Sequence, residues 1–259
     1  MGIKDFAIDF FSLEGKNAVV TGGNTGLGRT FALALATAGA NLFIPTIRED
    51  DGTTRQMIEN EGVEVELIHK DITESGAAKD IIAGCVKRFG SLDILVNSAG
   101  LCKNVQNVLD FGREEWDEML DINLTAPFEL SFRAAKVMIP QRSGKIINIC
   151  SMYSFLGGQW SPAYASTKHG LVGFTKAYCD ELAQYNIQVN GIAPGYFATD
   201  LTIDTRSNPE RNKRVVDHIP ANRWGEPFDL MGATIFLASR ASDYVNGHIL
   251  VVDGGYLVR

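Results

Sequence analysis

A tyrosine and a lysine stand four residues apart, at Tyr164 and Lys168, in a segment with helical character. Ser161 and Pro162 precede them, and these residue types are typical of a helix N-terminus. Residues at this spacing share one helix face. A lysine ammonium stabilises a neighbouring phenolate, and a positively charged ligand ring would act in the same direction. Lowering a tyrosine pKa from about 10 to about 7 takes roughly 4 kcal/mol, so we expect Tyr164 to exchange a proton with a substrate near neutral pH.

Two further polar residues could complete this proton-transfer site. Ser151 follows the apolar run KIINIC, and its hydroxyl could hydrogen-bond a substrate oxygen from the end of that strand. Asn123, in the segment DINLTAPF, could hold a water that passes protons from Lys168 towards solvent. Each residue alone has a simpler interpretation, as a solvated helix face or a local cap, so the prediction depends on the combination. A serine nucleophile is not indicated, because no GxSxG motif surrounds Ser151 and none of the four histidines lies in a triad motif.

A glycine-rich turn lies between the first predicted strand and the first predicted helix. Its sequence, TGGNTGLG, has TGxxxGxG spacing rather than the common GxGxxG. Gly22 permits a tight turn, Gly26 lets a pyrophosphate approach the backbone, and Gly28 lets the helix pack closely against the strand. The free amides of the helix N-terminus favour phosphate binding. We therefore predict a dinucleotide site, to which the same turn would also contribute Asn24, Thr25 and Leu27.

Other candidate cofactor contacts follow later strands. Asp71 ends the third strand and could accept a hydrogen bond from an adenine amino group. The segment NSAG ends the fourth strand, and a Pro-Gly pair ends the sixth. Since the carboxyl ends of parallel strands meet at one edge of the sheet, these residues should lie around one crevice. The contacts predicted there are Asp71, Ile72, Asn97, Ala99, Gly100, Pro194 and Gly195.

Short apolar runs alternate with longer amphipathic segments from end to end, which is typical of βαβ units. We predict one α/β domain over residues 1–259, a doubly wound Rossmann-type fold with a seven-stranded parallel sheet and helices on both faces. A polar segment over residues 199–223 follows the sixth strand, where a substrate lid would belong. Predicted strands lie near Asn17–Thr21, Asn41–Ile44, Glu64–His69, Ile94–Asn97, Lys145–Ile149, Gln188–Ala193 and His248–Val252, and predicted helices near Leu27–Ala38, Ser75–Phe89, Trp116–Ile139, Ala163–Tyr185 and Phe228–Ala238.

The composition limits the classes of partner. A formal net charge of -7 without a Lys/Arg run argues against a nucleic-acid-binding surface. The four cysteines lack CxxC spacing, and no histidine or carboxylate motif has metal-ligand spacing, so we expect reduced thiols and no metal. No uncharged apolar run reaches the roughly 18 residues of a membrane span, and no targeting signal is indicated. We therefore expect a cytoplasmic protein that acts on a small molecule.

The order of these motifs resembles that of the short-chain dehydrogenase/reductase family across essentially the whole chain. The resemblance implies an oxidoreductase with a nicotinamide cofactor. By this resemblance Tyr164 is the proton donor or acceptor, and Lys168 binds the nicotinamide ribose and lowers the tyrosine pKa. Ser151 orients the substrate oxygen, and Asn123 supports the proton relay. A homotetramer or homodimer is also implied.

The resemblance also bears on the cofactor. It implies contacts from Phe197 and Thr199, while Ser98 departs from the second Asn that the family more often has. After the second strand, Thr46 stands where NAD-preferring members often have an Asp for the adenosine ribose, and Arg48 lies two residues on. An acid would repel a 2′-phosphate and an arginine could pair with it. We expect NAD, with NADP as the alternative.

Several longer segments, among them SMYSFLGG, IAPGYFATD and IPANRWGEPFDLMG, resemble a branch of this family that acts on 2-keto-3-deoxy sugar acids. Three arginines of the predicted lid, Arg206, Arg211 and Arg214, could bind a carboxylate. Alternatives with the same catalytic residues are a gluconate 5-dehydrogenase and a 3-oxoacyl-carrier-protein reductase, and an alternative of another class is a non-catalytic nucleotide-sensing scaffold. The candidate substrate contacts are Gln159, Trp160, Tyr196 and Arg206.

Overall fold

The computed structural model describes residues 7–105, 107–158 and 161–259. Within them, parallel strands alternate with helices along the chain. The strands are β1 Asn17–Val20, β2 Asn41–Thr46, β3 Val65–His69, β4 Ile94–Asn97, β5 Gly144–Ile149, β6 Ile187–Pro194 and β7 Ile249–Val252. The α-helices are α1 Gly26–Thr37, α2 Thr53–Glu59, α3 Ala77–Phe89, α4 Arg113–Leu120, α5 Ala126–Gln141, α6 Pro162–Leu182, α7 Ile203–Ser207, α8 Pro209–His218 and α9 Met231–Ala238.

The strands form one seven-stranded sheet in the order β3-β2-β1-β4-β5-β6-β7, and every neighbouring pair is parallel. The central strands β1, β4, β5 and β6 are buried throughout, as strands covered on both faces must be. The edge strands β3 and β7 are partly exposed. The predicted doubly wound α/β fold is confirmed, and the strand order reverses between β1 and β4, where a ligand crevice is expected.

Two apolar layers lie on opposite faces of the sheet. One contains Phe31 and Leu35 of α1 together with Leu237 of α9. The other contains Ile81 of α3 and Leu130 of α5 among its members. Helices therefore cover both faces, as predicted from the continuous apolar character of the strands.

The structure differs from the predicted helices in three places. The helix predicted over Trp116–Ile139 begins at Arg113 and is divided by a π-helical turn, Asp121–Thr125, between α4 and α5. Residues 199–223 contain α7 and α8, which the sequence analysis did not place, and α2 was also missed. Within the described part of the chain, no helix combines the length and apolar character needed to cross a membrane.

Candidate active site

Helix α6 positions the predicted tyrosine and lysine. It begins at Pro162, directly after Ser161, whose hydroxyl donates to the main-chain oxygen of Lys103 at 2.6 Å. Tyr164 is half-buried and Lys168 is only 5% exposed. Lys168 Nζ lies 5.5 Å from the centre of the Tyr164 ring. The four-residue spacing therefore places both groups on one helix face, as predicted.

Ser151 lies beside this pair because β5 ends two residues before it. Lys168 is bound to the end of the same strand, because its Nζ donates to the main-chain oxygen of Ile149 at 2.7 Å. Ser151 is buried, and its hydroxyl oxygen accepts from the Tyr153 amide at 3.2 Å. Ser154 donates through its hydroxyl to the Lys168 main-chain oxygen at 2.9 Å. Strand β5 and helix α6 therefore hold the serine, the lysine and the tyrosine in one place.

Asn123 lies in the π-helical turn and is buried. Its amide nitrogen donates to the Leu101 oxygen at 2.7 Å, and its side-chain oxygen accepts from the Leu101 nitrogen at 2.8 Å. A Cβ on Gly100 would lie 3.1 Å from the Asn123 side-chain oxygen and 3.8 Å from Lys168 Nζ. Asn123 therefore binds the main chain after β4 and fixes the loop that passes next to the lysine.

Burial controls the ionisation of the site. It raises the pKa of Tyr164 well above its usual range, and the neighbouring Cys102 thiol adds to this effect, whereas the Ser151 hydroxyl lowers the pKa. Burial also lowers the pKa of Lys168. The lowered tyrosine pKa predicted from the sequence requires a positively charged cofactor ring beside Tyr164. In the protein alone, Tyr164 is held in its protonated form at neutral pH.

The glycine-rich turn after β1 has the shape needed for a dinucleotide. Gly22 and Gly26 have positive φ angles of 64° and 50°. A Cβ on Gly28 would lie 2.2 Å from the Gly22 main-chain oxygen, whereas a Cβ on Gly26 would meet no atom within 4 Å. The Thr25 side chain makes no capping hydrogen bond to α1. The turn is thus close-packed on the strand side and open at the helix N-terminus, where free amides suit a phosphate.

Thr46, at the end of β2, is engaged with the same turn. Its hydroxyl donates to the Asn24 side-chain oxygen at 2.7 Å and accepts from the Arg48 amide at 3.1 Å. The Asn24 amide nitrogen donates to the Arg48 main-chain oxygen at 2.9 Å. Thr46 and Asn24 therefore hold the backbone of Arg48 beside the glycine-rich turn. The Arg48 side chain is exposed.

The residues predicted after β3 and β4 lie on the same sheet edge. Asp71 accepts from both the Thr73 amide and the Thr73 hydroxyl, at 2.8 and 2.7 Å, and Ile72 is buried. Thr21, to which the sequence analysis gave no role of its own, accepts from the amides of Ser98 and Ala99 at 2.9 Å each. The ends of β1 and β4 are thereby joined, and the substitution at Ser98 leaves this main-chain contact intact.

Asn97 belongs to a buried polar network that sequence reasoning missed. Its amide donates to Asn148 in β5 at 2.8 Å and to the Ser131 hydroxyl at 3.1 Å, and Asn148 donates to the Thr175 hydroxyl at 2.9 Å. The Asn97 side-chain oxygen is buried and has no hydrogen-bond partner among the described residues. The one sequence signal for this network was Asn148, a polar residue inside the apolar run KIINI.

The end of β6 forms the other wall of the crevice. Pro194 ends the strand, and a Cβ on Gly195 would lie 2.7 Å from the Asp253 Cα. Phe197 is buried and pairs with Gly225 in an isolated bridge. Beyond it, the Thr199 amide donates to the Thr202 hydroxyl at 3.1 Å.

The structure does not support Arg206 as a substrate contact. Its guanidinium donates to the Thr199 main-chain oxygen at 2.9 Å and to the Thr202 hydroxyl at 3.3 Å. The positive charge is therefore used to hold residues 199–206 together. Gln159 and Trp160 lie outside the described residues.

Tyr196, predicted from sequence, belongs to a group of aromatic residues. Its hydroxyl lies 3.1 Å from the Tyr153 hydroxyl, and Tyr153 packs edge-on against Tyr164 with ring centroids 6.1 Å apart. On its other sides Tyr196 contacts Trp224 and Tyr256, at centroid distances of 5.5 and 5.4 Å. Tyr153, Trp224 and Tyr256 were not predicted, because single aromatic residues in separate segments carry no periodic signal.

The described residues hold no group of three or more His, Cys, Asp or Glu side chains that could bind a metal ion.

Comparison with known proteins agrees with this geometry. A family model described as Enoyl-(Acyl carrier protein) reductase matches residues 22–257. The uncharacterized oxidoreductase YgcW of Escherichia coli is 70% identical over 98% of this chain and 97% of its own. The 2-dehydro-3-deoxy-D-gluconate 5-dehydrogenase of Escherichia coli is 45% identical over 96% of this chain and 98% of its own.

A solved structure has a closely similar fold. The gluconate 5-dehydrogenase of Burkholderia cenocepacia, in complex with NADP and tartrate, superposes with a TM-score of 0.92 at 38% identity and covers 98% of this chain and 100% of its own. The fold, the crevice and the similarity to these proteins together show that the protein is an NAD(P)-dependent oxidoreductase. The chain belongs to the short-chain dehydrogenase/reductase family.

Proposed function

We propose that this protein interconverts a ketone and a secondary alcohol on a sugar acid, as 2-dehydro-3-deoxy-D-gluconate 5-dehydrogenase does. In the reductive direction the substrate would be 2,5-diketo-3-deoxygluconate. The observation that carries the proposal is the position of Tyr164 beside Lys168 and Ser151, packed against Tyr153, whose hydroxyl contacts that of Tyr196. We treat residues 1–259 as one catalytic domain in which residues 199–223 form the substrate lid.

Each polar group has a defined task in this proposal. Tyr164 donates its phenolic proton to the carbonyl oxygen during reduction and receives it back during oxidation. Ser151 orients that oxygen from the end of β5. Lys168, held by the Ile149 main-chain oxygen, stabilises the phenolate when the proton has left and would contact the nicotinamide ribose. Asn123 fixes the neighbouring loop and is in this sense a positioning residue.

The proposed cofactor site extends from the crevice between β1 and β4, where the strand order reverses, to Tyr164. A bound nicotinamide dinucleotide would supply or accept the hydride. The open amides at the start of α1 suit its pyrophosphate. The Asn97 side-chain oxygen, which has no partner among the described residues, is a buried polar acceptor at the end of β4. The residues that would hold it are Gly22, Asn24, Thr25, Gly26, Leu27, Gly28, Thr46, Asp71, Ile72, Asn97, Ala99, Gly100, Tyr164, Lys168, Pro194, Gly195, Phe197 and Thr199.

The contacts around β2 favour NADP over the NAD expected from the sequence. Thr46 carries no negative charge, and its hydroxyl is already bound to Asn24. Arg48 is exposed, and within the described chain its side chain has no hydrogen-bond or ion-pair partner. The nearby Asp50 and Asp51 accept hydrogen bonds from amides at the start of α2. A guanidinium without a partner, next to the ribose position, suits a 2′-phosphate.

We expect Arg48→Ala to reduce kcat/KM for NADPH about tenfold or more, because it removes a charge-assisted hydrogen bond worth roughly 1.5–3 kcal/mol. NADH lacks the 2′-phosphate, so its kcat/KM should change little and serves as the control on the same variant. Steady-state rates with both cofactors make the comparison. A wild-type enzyme that prefers NADH tenfold would restore the original expectation of NAD.

The substrate proposal is supported by similarity and by the polarity of the crevice. Relatives named for sugar acids match nearly the whole chain. The hydroxyls of Tyr153 and Tyr196 offer hydrogen bonds to substrate hydroxyls. Such groups discriminate against a substrate that leaves them without a partner, so simple aliphatic ketones and acyl thioesters should be poor substrates.

We expect the highest kcat/KM with 2,5-diketo-3-deoxygluconate in a panel that also contains gluconate with an oxidised cofactor and an acetoacetyl thioester with NADPH. Absorbance of the reduced cofactor provides the initial rates. Activity with gluconate alone would replace the proposed substrate with that of a gluconate 5-dehydrogenase. Activity confined to the thioester would overturn the sugar-acid proposal, and binding without turnover of any substrate would indicate a non-catalytic nucleotide sensor.

A further inference from the structure

A continuous row of aromatic side chains leads from the proton donor to helix α8. Tyr153 packs against Tyr164, and its hydroxyl lies 3.1 Å from that of Tyr196. The Tyr196 ring contacts Tyr256, with centroids 5.4 Å apart, and Tyr256 contacts His218 at 4.2 Å. Since His218 is the last residue of α8, this helix forms the far end of the row from Tyr164.

Arg214 lies on α8 one turn before His218, so the two side chains share a helix face. Both line an open groove along this helix, together with Glu210, Lys213 and Asp217. Burial raises the pKa of Tyr196 and of Tyr256, and the positive charge of Arg214 lowers both pKa values by a smaller amount. Arg214 is exposed, and no other described residue forms a hydrogen bond or an ion pair with its side chain.

Most other cations of residues 199–223 are already engaged. Arg206 binds main-chain and hydroxyl oxygens of its own segment. Lys213 forms an ion pair with Asp217 on the next turn of α8. Arg223 forms two hydrogen bonds with Asp229, at 2.7 and 3.1 Å. Arg211 is the comparable exposed arginine of α8, but it is not among the residues that line this groove.

Helix α8 is anchored at two points, which limits where Arg214 can reach. The Trp224 indole nitrogen donates to the Asn212 side-chain oxygen at 2.7 Å. From the end of the chain, Arg259 donates to the Asp217 main-chain oxygen at 3.0 Å. These contacts keep α8 against the aromatic row rather than leaving it as a separate surface helix.

We propose that Arg214 binds the carboxylate of the substrate, with Tyr196 and Tyr256 as neighbouring hydroxyl donors. This inference rests on the proposed sugar-acid reaction and adds the residue that selects for the acid. A guanidinium can form a bidentate pair with a carboxylate. The hydroxyls complement it, because tyrosine phenols are protonated at neutral pH and can donate, and burial raises both pKa values further.

Binding of D-gluconate and of D-glucitol tests the inference without turnover. D-glucitol has the same number of carbons but no carboxylate, and calorimetry on the full-length protein saturated with NADP would give both dissociation constants. We expect the wild type to prefer gluconate at least tenfold. Arg214→Gln should abolish this preference by weakening gluconate binding, while Arg211→Gln, the matched exposed arginine on the same helix, should retain it.

The outcomes separate this inference from the proposed reaction. Equal gluconate binding by wild type and Arg214→Gln would overturn the role of Arg214, as would a wild type that binds neither compound. An equal loss of gluconate affinity in Arg211→Gln would also overturn it, because the effect would then come from the net charge of α8 and not from a contact made by Arg214. If the gluconate preference depends on Arg214 but no sugar acid is turned over, the carboxylate site stands and the proposed reaction fails.

Discussion

Replacing Tyr164 with phenylalanine should reduce kcat by about 10²- to 10⁴-fold, the usual effect of losing a positioned general acid or base. The phenyl ring keeps the edge contact with Tyr153, so the fold and cofactor affinity should be retained. Rates in both directions, together with cofactor titration by fluorescence, would measure the two effects separately. A phenylalanine variant with near-normal kcat would remove Tyr164 from the proton-transfer step.

Tyr153→Phe is the matched control for kcat, because its hydroxyl lies in the same crevice and is assigned to Tyr196 and to substrate hydroxyls, not to the reacting oxygen. Loss of that one hydrogen bond should cost about 0.5–1.5 kcal/mol, which corresponds to a change of roughly tenfold or less. The pH profile provides a second check. Since burial raises the pKa of Tyr164, alcohol oxidation, which needs the phenolate, should accelerate as the pH rises, and Tyr164→Phe should lose this dependence.

The second large effect is expected from Gly28→Ala. The new methyl group would lie 2.2 Å from the Gly22 main-chain oxygen, so backbone rather than a flexible side chain would have to move. Overpacking of this kind costs about 1–3 kcal/mol, and the distortion falls on the turn proposed to hold the pyrophosphate. We expect cofactor binding to weaken about tenfold to a hundredfold, measured by titration with the reduced cofactor.

Gly232→Ala provides the control for this change. Gly232 lies in helix α9, and a Cβ there would meet no atom within 4 Å. Alanine should stabilise that helix by up to about 1 kcal/mol and leave cofactor binding unchanged. If Gly28→Ala bound the cofactor as tightly as Gly232→Ala, the turn would not be the pyrophosphate site.

The parts of the fold that the sequence predicted are those with a strong repeating signal. The central strands are continuous apolar runs, and their predicted bounds agree with the structure to within two residues. Helix α2 was missed because TTRQMIE is short and mostly polar. Helix α8 was missed for a similar reason, since most of its residues are polar or charged and none is buried. Periodicity alone does not distinguish such segments from a solvated loop.

The candidate site was predictable where one motif lies in one segment, and less so where distant segments meet. The pair Tyr164 and Lys168 lies on a single helix and appears in the structure as predicted. Arg206 was a candidate substrate contact because of its charge. Its guanidinium instead donates to the Thr199 main-chain oxygen, and this contact depends on a local fold that the sequence did not reveal. The contact of Tyr153 with Tyr196 joins residues 43 positions apart, and no spacing rule indicates it.

The π-helical turn Asp121–Thr125 rotates the side chains of α5 about the helix axis relative to those of α4. A π turn accommodates one residue more than an α-helical turn, and one residue corresponds to a rotation of about 100°. Met119 of α4 can therefore contact Ser161 at the start of α6 while Leu130 of α5 packs against the sheet. Deleting a single residue from the turn would make the helix regular but rotate one half away from its partner. Apart from Asn123, whose side chain fixes the loop after β4, this turn should consequently tolerate changes of residue type far better than changes of length.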